Sequence, residues 1–140
     1  SEWKFHQDIY IKKEEANAIV HSHSTNATAL SVHKKTIPAF HYMVALAGGN
    51  DIKCAKYATY GTRMLSANIL KALKNRKACL ISNHGQIAYD DNLSKAFELA
   101  EEVENLSLQY ITALKIGKPK ILSNVEMNKV LAKSKNYKRG

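Results

Sequence analysis

Three histidines have the type and spacing to hold a metal ion: His21, His23 and His84. In an extended strand, residues two apart point to the same face, so His21 and His23 converge if the strand runs through both. Neutral imidazole is a good ligand for zinc. Three such ligands leave a fourth position open, which is the arrangement of a catalytic rather than a structural site. His84 stands at the end of an apolar run and just before Gly85, where the backbone can turn sharply and present the ring. The plainer reading makes each histidine a hydrogen-bonded polar residue at a strand end. Spacing alone leaves both readings open.

Other chemistry-bearing residues have local explanations. His6 lies one helical turn from Glu2, and His33 stands beside Lys34-Lys35 in what reads as a solvated turn; these and His41 default to structural or surface roles. Glu98, Glu101, Glu102 and Glu104 crowd one helix and read as its solvated face. Glu2 sits at a helix start beside Trp3, and by itself is a partner for the helix dipole.

The elements that must position these groups can be read from periodicity. Trp3, Phe5, Ile9 and Tyr10 mark a first helix with Ser1 near its N-cap. Ala18-Ile19-Val20-His21 fits a buried strand, and Thr25 to Val32 a short helix ending before Pro38. Ile37 to Ala47 is apolar and ambiguous between helix and strand, and Ile52 to Ala58 is a candidate strand. Leu65, Ile69, Leu70 and Leu73 give an amphipathic helix over Thr62 to Lys74. Ala78-Cys79-Leu80-Ile81 is a strand leading into Asn83-His84-Gly85, and Ile87-Ala88-Tyr89 continues the sheet. The longest helix starts near Asp91-Asn92 and is closed by Gly117 and Pro119, before a last helix from Asn124 to Ser134. Strands and helices interleave, which makes the class α/β.

The 140 residues suit a single domain, and a composition 45% hydrophobic and 24% charged argues against disorder. No apolar run approaches the roughly 18 residues of a membrane span. The stretch Ser1-Glu2-Trp3-Lys4-Phe5-His6 has the character of neither a signal nor a transit peptide. Cys54 and Cys79 lack CxxC partners and read as free thiols in a reducing compartment, so a cytoplasmic address is expected. The net charge of +9 is concentrated at one end: from Lys115 to Gly140 there are eight basic residues and one acid, Glu126. With no aromatic-interleaved basic motif or zinc-finger spacing, that charge argues for a solvated tail and against nucleic-acid binding.

In chain order, the segments form a larger pattern. Ser1-Glu2-Trp3-x-Phe5-His6, Val20-His21-Ser22-His23 and Ile37-Pro38-Ala39-Phe40-His41-Tyr42-Met43 come first. Ala47-Gly48-Gly49-Asn50, Tyr57-Ala58-Thr59-Tyr60-Gly61-Thr62-Arg63 and Asn83-His84-Gly85 follow. This pattern resembles the class II, zinc-dependent sugar-phosphate aldolases, especially their fuculose-phosphate branch, over nearly all of the chain.

The resemblance implies a three-layer α/β/α fold around a mostly antiparallel sheet, with residues 1–140 as one domain. It implies one Zn²⁺ per chain on His21, His23 and His84, and Glu2 as the catalytic proton carrier. Tyr42 corresponds to a tyrosine contributed across a subunit interface, and Tyr137 to an assisting C-terminal tyrosine. Ser1 corresponds to the second of two phosphate-binding serines, and Tyr60 to an aromatic in the pocket wall. The implied reaction is aldol cleavage of L-fuculose 1-phosphate, or a related ketose 1-phosphate, to dihydroxyacetone phosphate and L-lactaldehyde in a cytoplasmic homotetramer of fucose metabolism. Adducin-like members lack the metal histidines, and related 4-epimerases usually carry aspartate where Glu2 stands. Family members carry about seventy residues ahead of this block, within ordinary domain size. They include the first phosphate serine, so the expected fold is incomplete at its N-terminal edge. A second reading therefore stands beside the enzyme: a catalytically impaired fragment or remnant that serves as a zinc- or partner-binding module.

Overall fold

Four short runs assemble the sheet because each has an apolar face to bury on both sides. In the computed structural model, residues 2–137 are described, with side chains as far as Lys135. The strands are β1 (Ala18–Ser22), β2 (Cys54–Ala55), β3 (Ala78–Ile81) and β4 (Gly85–Asp90), in the order β1-β4-β3-β2. β4 pairs antiparallel with both β1 and β3, and β2 joins β3 in parallel. Every residue of β3 and β4 is buried, as expected for central strands covered on both faces.

The two faces are covered by different helices, completing the three layers. On one side α1 (Trp3–Lys12) and α3 (Arg63–Ala72) set Phe5, Ile9, Leu65 and Ile69 against Cys79, Ile81 and Ile87. On the other, α2 (Thr25–Val32), α4 (Leu93–Ile116) and a short 3-10 helix (Tyr42–Ala47) enclose Leu80, Ala88, Val103 and Leu106. Met127 of α5 (Asn124–Tyr137) closes that core. Phe5 and Ile9 are 1% and 0% exposed, and burying each is worth about 2 kcal/mol. They pin α1 to the sheet, which fixes Glu2 at its start.

Several local features differ from expectation. Glu2, not Ser1, holds the N-cap position of α1, and it makes no side-chain cap bond there because its carboxylate faces the histidines. Ser1 itself lies outside the described residues. The ambiguous segment from Ile37 contributes only an isolated bridge to Ile52 before the 3-10 helix, where the His41 ring caps the first turn by accepting from Met43 N–H at 3.1 Å. The expected strand from Ile52 to Ala58 shrinks to Cys54–Ala55: Asn68 Nδ2 takes the Lys56 carbonyl at 3.1 Å, and the chain leaves the ladder. Among the described residues, no helix is long and apolar enough to cross a membrane.

Candidate metal centre

The end of β1 and the turn between β3 and β4 meet at one point because residue 85 is glycine. A Cβ there would lie 2.3 Å from the Ser22 carbonyl oxygen and 3.1 Å from the His23 ring, closer than the neighbouring strand allows. With no Cβ, β4 starts flush against β1 and delivers His84 beside His23. Asn83, at φ 54°, supplies the reversal just before. α1 then brings Glu2 across the same opening.

The result is a triangle of imidazoles. The ring centres of His21, His23 and His84 lie 4.9, 4.9 and 4.8 Å apart, each pair near edge-on. His21 Nδ1 donates to the Gln86 carbonyl at 2.8 Å, which leaves Nε2 with its lone pair aimed inward. That Nε2 is 3.1 Å from His23 Nε2 and 3.1 Å from a Glu2 oxygen, while the other Glu2 oxygen is 2.6 Å from His84 Nε2. One ligand atom from each of the four residues lies within 4.8 Å of the others. Two ligands at zinc–nitrogen bond lengths and tetrahedral angles would be about 3.3 Å apart. The donor set and its spacing therefore fit a divalent ion.

The electrostatics agree with that fit. Burial holds the His21 imidazole below its ordinary range, outweighing the Gln86 hydrogen bond and the Glu2 charge, so the ring stays neutral and can ligate. For Glu2, burial pushes the carboxyl up, but the neighbouring His21 and His84 imidazoles outweigh it and hold the carboxyl below its ordinary range.

Behind the triangle is a buttress that local sequence patterns do not disclose. Gln86, 1% exposed, orients His21 with its backbone and donates its side-chain amide to Ser24 Oγ and the Ala100 carbonyl, both at 2.9 Å. Glu104 does not belong to a solvated face of α4. One of its oxygens accepts from Asn26 N–H and Nδ2, the other from Ala27 N–H, all at 2.8 Å. A carboxylate thus satisfies the orphan amides of α2 immediately after His23. Burial alone would raise the Glu104 pKa, but the amides of Ala27 and Asn26 hold it below the ordinary glutamate range.

That depressed pKa means the stabilisation is full above the unfolded-state value and is lost as pH falls through the folded one. Glu104→Gln is therefore expected to cost about 1–2 kcal/mol at pH 7 in urea unfolding of the metal-free chain. The gap should close as pH falls below 4.5, the ordinary value. Equal stability of the two proteins at pH 7 would remove this role.

Other expected site residues fall in different places. Tyr60 does line a cavity of about 320 Å³ at the metal centre, together with Glu2, His23, His84 and, unforeseen, Tyr57 and Asn83. Tyr42 is 56% exposed and stacked on His41, outside the described lining of that cavity. His6 stacks on Phe5 and is not among the four converging residues, and His33 is an exposed residue at the end of α2. Ser1 and the Tyr137 side chain lie outside the described residues.

Residues 1–111 match the family model described as the class II aldolase and adducin N-terminal domain. Over 138 residues the chain is 52% identical to L-fuculose phosphate aldolase of Escherichia coli K12, covering 98% of this chain and 64% of that protein. It is 50% identical to the 5-methylthioribulose-1-phosphate/5-deoxyribulose-1-phosphate aldolase of Rhodospirillum rubrum, covering 98% of this chain and 62% of that one. A solved L-fuculose 1-phosphate aldolase superposes with a TM-score of 0.92 at 42% identity, over 96% of this chain and 63% of its own. The chain thus spans less than two thirds of the length of these relatives. With the fold, the His–Glu cluster and these matches in agreement, the chain belongs to the class II aldolase and adducin family.

Proposed function

We propose that this chain carries the metal centre of a zinc-dependent lyase that cleaves a ketose 1-phosphate between C3 and C4. The products are dihydroxyacetone phosphate and an aldehyde. The observation that carries the reading is the convergence of His21, His23, His84 and Glu2, three of which line a cavity that opens to solvent. A bound divalent cation supplies Lewis acidity, spreading the negative charge that carbon–carbon cleavage leaves on the three-carbon fragment.

The chain's own groups have distinct roles. The histidines hold the cation with His21 fixed in one tautomer, and Glu2 moves the proton on the carbon that was C3. Tyr57 and Tyr60, both exposed, form part of the wall of the open cavity. Tyr42, exposed and outside the cavity, acts from a neighbouring subunit on the C4 oxygen, which requires a homo-oligomer, a tetramer on this reading. Ser1 binds substrate phosphate, and Tyr137 assists at the same proton transfer as Tyr42. A cytoplasmic setting suits Cys54 and Cys79, both free thiols.

L-fuculose 1-phosphate, which gives L-lactaldehyde, is the leading substrate. The near-equal identity to a 5-methylthioribulose-1-phosphate aldolase favours that ketose as the second. The test is enzyme-coupled detection of dihydroxyacetone phosphate from each sugar phosphate. Release from one of them, abolished by chelator and restored by zinc, is the expected result. Turnover indifferent to chelator would refute the metal mechanism. Stoichiometric zinc without turnover of either sugar would identify a non-catalytic zinc-binding module instead.

A further inference from the structure

A second feature, rich in lysine, lies along the free edge of β2. There an open cavity of about 550 Å³ is bounded by β2 and the C-terminal half of α3. Lys53 and Lys56 stand on the strand side, Lys71 and Lys74 on the helix side, and Arg76 at one end; no carboxylate lines it. Arg76 is already engaged: its guanidinium bonds Asp51 at 2.8 and 3.0 Å, Asn50 Oδ1 at 3.0 Å and the Asn75 carbonyl at 3.0 Å. Asp51 also reaches Lys53, at 3.4 Å. Among the described residues, Lys56, Lys71 and Lys74 have no ion-pair partner, unlike Lys4, Lys77, Lys95 and Lys129.

Each lysine has a local justification. Cations suit a helix C-terminus, and lysines guard an exposed strand edge. Neither reason requires both sets to face one cavity from opposite sides with no acid between them. That arrangement concentrates positive potential where an anion can be approached from two directions. The volume lies within the range of small-ligand sites.

We propose that the β2–α3 cavity is a binding site for a di- or triphosphate anion. Such an anion carries about three to four negative charges near neutral pH, enough to face the three unpaired ammonium groups and Lys53 together. Flexible ammonium groups act as point charges and suit a chain of phosphate oxygens better than a single planar carboxylate. The site is separate from the metal centre. The two cavities share no lining residue, although Lys56 of this one adjoins Tyr57 of the other.

The test is a titration of the zinc-loaded chain with inorganic pyrophosphate, followed by amide chemical shifts, with zinc content checked at the end. Saturable shifts confined to residues 53–56 and 68–76 are expected. The double variant Lys71→Gln/Lys74→Gln should bind about tenfold more weakly or worse. A control in the basic tail, Lys118→Gln/Lys120→Gln, should bind as the parent does. Shifts only around Glu2, His21 and His84, no saturation, or equal weakening in the tail variant would overturn the proposal. So would an RNA oligonucleotide that shifts these residues when pyrophosphate does not.

Discussion

Replacing His84 with alanine is expected to weaken zinc binding by about a hundredfold or more while leaving the fold intact. A closed four-ligand zinc site is worth about 10–16 kcal/mol, so one imidazole of this set carries about 3 kcal/mol, which is more than two decades in affinity. His84 is suited to that share. Its backbone is held by the tight approach of Gly85 to Ser22, and its Nε2 is 2.6 Å from Glu2. Truncation enlarges an open cavity that His84 lines and leaves the apolar core untouched, since His84 belongs to neither core cluster. The measurement is zinc competition against a chromophoric chelator, with thermal unfolding at fixed free zinc as a second readout. Zinc at a hundred times its dissociation constant stabilises a native state by about 2.7 kcal/mol, and the variant should lose most of that increment. His33→Ala, an exposed imidazole outside the cluster, should retain it. A His84→Ala protein with parental zinc affinity would remove His84 from the ligand set.

The contrast between His84 and Glu104 shows which features a sequence discloses and which it does not. Strand alternation is the reason to expect His21 and His23 to converge. β1 ends at Ser22, so His21 is its last-but-one residue and His23 follows just beyond its end. The apolar run ending at Ile81 puts His84 just past a strand terminus. Those are local properties, readable from period and punctuation. The core positions of α1, α3 and α4 follow the same logic, because a 3.6-residue stripe has to meet a sheet. Glu104 is different. On helical spacing it is one of a crowd of acids, and only the crossing of α4 beneath α2 brings its carboxylate to the amides of Asn26 and Ala27. Gln86 is likewise a polar residue in a central strand, and nothing local says that its carbonyl sets the tautomer of His21. β2 is shorter than its sequence suggests for a related reason. Its residues have strand propensity, but the Asn68 side chain from α3 claims the next carbonyl. Pairing across long sequence separations decides these features, and a window-by-window reading does not contain it.

Glu2→Gln is expected to lower turnover of the ketose phosphate by about 10²–10⁴-fold, the usual loss when a positioned proton carrier is removed. Zinc should stay bound within about tenfold of the parent, because three imidazoles remain. The substitution preserves shape and one oxygen, so lost activity reports lost proton transfer rather than a collapsed site. Glu2 is available to carry the proton because it holds the N-cap position of α1 without bonding the helix amides, and both of its oxygens face histidines. Turnover alone does not separate proton transfer from substrate binding, so the sharper readout is a partial reaction. Dihydroxyacetone phosphate incubated with the zinc-loaded chain in D₂O should exchange a proton at the carbon that forms the new bond. Exchange needs the metal and the proton carrier but no aldehyde and no tyrosine from a neighbouring subunit. Glu2→Gln should abolish it with zinc still present, Tyr42→Phe should leave it near the parental rate, and His84→Ala should lose it together with the metal. Parental exchange in Glu2→Gln would transfer the proton role to another group, and loss of zinc in that variant would make Glu2 a ligand first.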